Sequence, residues 1–261
     1  YLANYSLVLV SILAISASIA VPLARKYFDK RSFQSLGLKI NRLALKDLGF
    51  GFLLSALMAA LFYFILLSFG LIEFNGFNLE LPIESTGQSF DYVKFMQVTT
   101  IGSLSLLLLE HILVGYWEEL VFRGYLFQNM VEGMGMRLAI ALSCIIYGLI
   151  HYTNPNAGWL SSSIIVLFGF LRIYGYTSTK MLWLSIGMHI GWNFCQGPIF
   201  GFAASGHNTA TLIKHKLISE QSWLTGGEFG PEGSILIIPV IALALYIMPL
   251  WSNKRMNSTT Q

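Results

Sequence analysis

Seven stretches of this chain are apolar and long enough to cross a bilayer: residues 4–24, 48–72, 96–115, 137–153, 158–178, 181–202 and 234–251. A crossing takes about 20 mostly apolar residues. Lipid satisfies no backbone hydrogen bond, so such stretches have to be helical. An eighth apolar segment, 114–131, is either a separate helix or a continuation of the third. The expected fold class is all-α: a polytopic integral membrane bundle of about seven to eight transmembrane helices. The chain reads as a single transmembrane domain over 1–261, with a long polar, Gly-rich loop at 203–233 forming a lumenal or periplasmic excursion. Residues 4–24 end in ARK without a small-residue cleavage site and read as a first spanning helix rather than a removed signal peptide.

Composition agrees, since 55% of residues are hydrophobic and only 11% charged, against roughly 25% charged in a soluble domain. The net charge of +3 is small and scattered, which excludes a nucleic-acid partner. Cys144 and Cys195 lie inside apolar runs and read as small core residues rather than a disulfide or metal pair. The 25–47 connection is basic (Arg25, Lys26, Lys30, Arg31, Lys39, Arg42, Lys46). The 73–95 connection is acidic, with Glu73, Glu80, Glu84 and Asp91 against Lys94. The excess of Lys and Arg puts the first connection in the cytoplasm and the second outside. Lys254 and Arg255 then fall on the cytoplasmic side if seven segments cross.

Ionisable side chains at membrane depth are expensive and mark functional sites by default. Here they are Glu110, His111, Glu118, Glu119, Arg123, His151, Arg172 and His189, joined by the polar Asn193. In WEELVFRGYLF, residues 117–127, Glu119 and Arg123 stand four apart on one helix face and can pair. Glu118 points about 100° away, with no local cation, and is the candidate proton acceptor. YGLIH sets Tyr147 and His151 on one face, and HIGWN does the same for His189 and Asn193. Histidine and asparagine donate hydrogen bonds to a developing oxyanion. Arg172, near Lys180, reads as snorkelling to the interface, and Glu110 with His111 as an interface pair near a helix end.

Taken in order, EELVFR (118–123), YGLIH (147–151) and HIGWN (189–193) fit EExxxR, FxxxH and HxxxN motifs on successive apolar helices. The set resembles the CPBP family of intramembrane proteases, which includes the type II CAAX prenyl endopeptidase and bacterial relatives linked to bacteriocin processing or immunity. The motif core spans about 110–200, and SLGLKI followed by DLGFGFLL is similar to the family's amino-terminal portion. The resemblance implies a metal-independent, glutamate-dependent endopeptidase in the bacterial plasma membrane, with no cofactor. Its substrate would be a membrane-associated peptide or protein, with a membrane protein partner possible. Carried over by position, Glu118 with His151 would activate water, His189 and Asn193 would stabilise the oxyanion, and Glu119 and Arg123 would brace the site. Tyr147 supports His151 and departs from the family, which usually has Phe there.

Three other readings stand beside this one. Glu118, His151 and His189 form a possible zinc set, although the chain has no HExxH pair. The same cluster would serve a non-catalytic immunity or scaffold protein, or a proton-coupled transporter. One conflict also follows from the segment limits. Glu118 falls near the cytoplasmic end of its helix and His151 near the opposite end of the next. They cannot meet unless a helix is re-entrant or the limits differ.

Overall fold

The computed structural model describes residues 2–79 and 100–257. Glu80, Glu84, Asp91 and Lys94, on which the acidic connection rests, lie outside the described residues, as does the start of the third apolar stretch. The described chain is mainly helical: α1 (Leu2–Tyr27), α2 (Arg42–Ser68), α3 (Thr100–Glu118), α4 (Phe127–Met134), α5 (Met136–Ile150), α6 (Trp159–Thr179), α7 (Trp183–Phe194) and α8 (Ile237–Asn257). Among the described residues, five helices are long and apolar enough to cross a membrane, fewer than the seven to eight expected. Their outer faces are lipid-like. On α1, Val8, Leu9, Ile12, Ile15 and Ile19 are all exposed, a patch that water would not tolerate on a monomer.

The 114–131 segment is not a separate helix. The chain passes from α3 through a π-helical stretch, Glu119–Leu126, into α4 without a break. It turns only at Gly135, whose φ of 81° suits glycine. Sixteen residues separate Glu118 from Met134, and fifteen separate Met136 from His151. At 1.5 Å per residue these runs descend and return by about the same 22–24 Å, so the antiparallel pair brings Glu118 and His151 level. The conflict came from ending the third helix at 115.

The expected span 181–202 appears as α7, which is not among those five helices. α7 has twelve residues and gives way to a second π-helical stretch, Cys195–Ile199, which contains Pro198. It is buried along almost its whole length, enclosed by protein. It packs most extensively on α2, where a Cβ at Gly187 would overlap the Leu48 carbonyl, and one at Gly191 the Phe52 carbonyl. Small residues four apart let two backbones approach this closely. Phe62 of α2, Phe168 of α6, Trp192 of α7 and Val240 of α8 fill the core beside that crossing.

At one end of α2, Asp47 accepts hydrogen bonds from Trp251 and Arg255 of α8, each at 3.0 Å. The tail cations therefore lie at the same end as the basic connection, as expected. At the other end, β1 (Ile72–Phe77) pairs antiparallel with β2 (Ile213–Leu217), Ile72 opposite Leu217. Through β2 the 203–233 segment is stitched to the end of α2 and folded back over the bundle.

Candidate active site

The polar residues of α3, α5, α6 and α7 converge on a cavity of about 1180 Å³, lined among others by Glu118, Tyr147, His151, Arg172, His189 and Asn193. The two adjacent glutamates part company there. Glu119 is 0% exposed, and its Oε1 accepts from Arg123 Nη1 at 3.1 Å. The same oxygen meets His189 Nδ1 at 2.8 Å, with Arg172 Nε 3.9 Å away. Glu118 is 13% exposed, so it is the carboxylate that meets the cavity.

Glu118 is not unpartnered, contrary to expectation. Tyr147 donates its hydroxyl proton to Glu118 Oε2 at 2.9 Å, and the same hydroxyl accepts from Arg172 Nη1 at 2.6 Å. Arg123 lies over the Tyr147 ring, 3.9 Å from its centroid, a cation–π contact made strong by desolvation. Arg172 does not snorkel. It is 3% exposed and stands seven residues inside the end of α6, about two turns from any interface, with Ser185 donating to its carbonyl at 2.7 Å. That depth was the signal available in the sequence.

The histidines are oriented by their partners. His151 Nδ1 lies 2.8 Å from the Tyr147 carbonyl oxygen. A carbonyl only accepts, so Nδ1 carries a proton, and in the neutral ring Nε2 keeps its lone pair. His189 gives Nδ1–H to Glu119 and holds Nε2 3.8 Å from Glu118 Oε2. A neutral His189 thus presents a lone pair at Nε2, and only the imidazolium donates from both nitrogens. Asn193 follows one turn later and lines the same cavity. Both π-helical stretches adjoin these residues, Glu119–Leu126 directly after Glu118 and Cys195–Ile199 just past Asn193, and π-bulges recur at functional sites.

Two wall elements differ from the sequence reading, one placed elsewhere and one missed. His111 is buried inside α3 rather than at an interface, and it lines the cavity. Glu232, in the polar GPEGS run, is 3% exposed. It accepts from Trp192 Nε1 at 2.9 Å and from the Ser205 hydroxyl, holding residues 204–210 against the cavity. Among the described residues no three His, Cys, Asp or Glu side chains are grouped to hold a metal ion.

Residues 100–195 match the family model of the Type II CAAX prenyl endopeptidase Rce1-like proteins. This Rce1-like stretch takes in the EELVFR, YGLIH and HIGWN positions together. The family is one of proteases, and with five apolar helices the match supports a peptidase held in a membrane. No curated protein matches the chain. Glu232 and the segment around it fall outside the Rce1-like stretch.

Proposed function

We propose that this protein is an intramembrane endopeptidase that hydrolyses a peptide bond of a membrane-associated protein or peptide. One observation carries the reading: a water-accessible carboxylate, Glu118, shares a cavity with a histidine that has a free Nε2, within a helical bundle. Tyr147 engages Glu118 Oε2 and leaves Oε1 to the water. Glu118 takes one proton from the water, His151 Nε2 accepts a hydrogen bond from its remaining O–H, and as the oxygen attacks the scissile carbonyl carbon the carbonyl π electrons move to oxygen. The Asn193 amide donates to that oxyanion, and His189, whose ring Glu119 fixes through Nδ1–H, closes the same side of the site. The tetrahedral intermediate collapses, the C–N bond breaks, and the proton passes to the leaving amine.

Preorganised donors inside a water-poor cavity are worth far more than in solution. They also explain why Glu119, Arg123 and Arg172 are buried together. The three charges, with His189, fix the orientation of the reacting groups and need not touch the substrate. Metal is not required by this scheme, and the family match concerns a protease without specifying its substrate here.

The test compares membrane-proteome fragments from cells expressing the native chain and Glu118→Gln, with melting curves in detergent for both. Glu118→Gln preserves size and the Tyr147 hydrogen bond but removes the base. Specific fragments should vanish while melting is unchanged. Identical fragment patterns, with the native cellular phenotype retained in Glu118→Gln, would replace catalysis with a scaffold role.

A further inference from the structure

Two polar side chains in the cavity have no task in the hydrolysis. His111 is 5% exposed, and neither of its ring nitrogens has a hydrogen-bond partner. Trp117 has a buried Nε1 donor that is likewise unpartnered. Both line the cavity that holds Glu118. An unsatisfied buried polar group costs about 1–3 kcal/mol, a cost that a ligand bringing the complementary groups removes.

The geometry points to a subsite, built from His111 and Trp117, that binds the main chain of an extended apolar segment of the substrate. This assignment rests on the peptidase reading and adds to it how the substrate is held. A neutral imidazole offers one donor and one acceptor, and Trp117 adds a second donor. A peptide unit offers the complementary N–H and C=O, but only if its own helix is unwound. The walls there are apolar: Leu7, Val10 and Leu13 of α1, with Leu106 and Leu107 of α3. The segment bound alongside should therefore carry apolar side chains.

Spacing fixes the register. His111 precedes Glu118 by seven residues on α3, two turns, or about 10 Å along the axis and nearly on the same face. An extended chain advances about 3.3 Å per residue. The peptide unit that His111 engages is therefore about three residues from the bond being cut, and Trp117 engages one close to it. The substrate would run unwound along α3 over this distance.

The test uses a synthetic peptide copying a cleavage site mapped with the native chain, and the full-length protein in lipid nanodiscs. His111→Phe should raise KM about five- to tenfold with kcat nearly unchanged, and His111→Gln, which keeps a donor and an acceptor, should restore most of it. Replacing the amide three residues from the cut by an ester, on each side in turn, should raise KM by a similar factor on one side only. That penalty should disappear in His111→Phe. The ester arm leaves the protein intact, so misfolding of a variant cannot mimic it. Cleavage that depends on Glu118 but is indifferent both to the ester and to His111→Phe would overturn the subsite alone. Absence of any Glu118-dependent cleavage would overturn the peptidase reading, and the subsite with it.

Discussion

One hydroxyl group separates Tyr147 from the phenylalanine usual in the family that the sequence resembles. It lies between Arg172 and Glu118, accepting a hydrogen bond from the first and donating one to the second. It thereby links a buried cation to the proposed base and fixes one carboxylate oxygen. A hydrogen bond to a charged group is worth about 1.5–3 kcal/mol. Tyr147→Phe keeps the ring over which Arg123 lies, so packing should survive. Steady-state kinetics on a mapped substrate should show kcat about 10- to 100-fold lower and KM little changed; an unchanged kcat would make the hydroxyl a bystander. Much of this was legible beforehand, because the four-residue spacings of Glu119 with Arg123, Tyr147 with His151, and His189 with Asn193 are one helical turn each. Arg172 was misplaced because proximity to Lys180 in sequence was taken for proximity to the interface. Glu118's partners were invisible, since they come from two other helices.

At the level of elements, the hydropathy pattern located the helices but could not distinguish those facing lipid from one enclosed by protein. Apolar residues satisfy both environments, so the burial of α7 carried no signal of its own. The π-helical stretches carried no residue signature either. What the sequence did display was Gly187 and Gly191, four apart, where α7 meets α2. Gly191→Ala places a methyl group against the Phe52 carbonyl, and overpacking of this kind costs about 1–3 kcal/mol. It should lower the melting temperature in detergent and also reduce kcat, because α7 carries His189 and Asn193. At Gly49, where an added Cβ meets nothing within 4 Å, Gly49→Ala should leave both unchanged. The β2 strand offers a second prediction. Burial between Tyr63 and Phe202 holds the His215 imidazole below its ordinary 6.5, opposed by its hydrogen bond to the Phe200 carbonyl. The fold therefore prefers the neutral ring, and its contribution is complete above pH 6.5 and lost as pH falls below it. Amide exchange in 213–217, corrected for intrinsic rates, should lose protection between pH 7.5 and 5.5 in the native chain. His215→Gln, which takes no proton, should show a flat profile over the same range.

Across the whole molecule, the site is closed by a segment that the sequence marked only as a polar excursion. Its anchor is Glu232, which accepts from Trp192 on the helix of His189 and Asn193 and from Ser205 on the segment itself. Asn154, just past His151, donates to the Ser205 carbonyl at 3.1 Å. The wall over residues 204–210 is thus tied at once to α7 and to the α5–α6 turn, so the helices bearing His151, His189 and Asn193 share one brace. Removing the Glu232 carboxylate strands a buried indole N–H, at about 1–3 kcal/mol. Glu232→Ala should lower the melting midpoint and speed amide exchange in 203–210, while exchange in the middle of α2 stays at its native rate. Cleavage should fall through kcat, because closure excludes water from the groups that hold the oxyanion. If exchange in 203–210 were unchanged while cleavage still fell, Glu232 would be acting on the reaction through Trp192 and α7, and the segment would be no more than a cover.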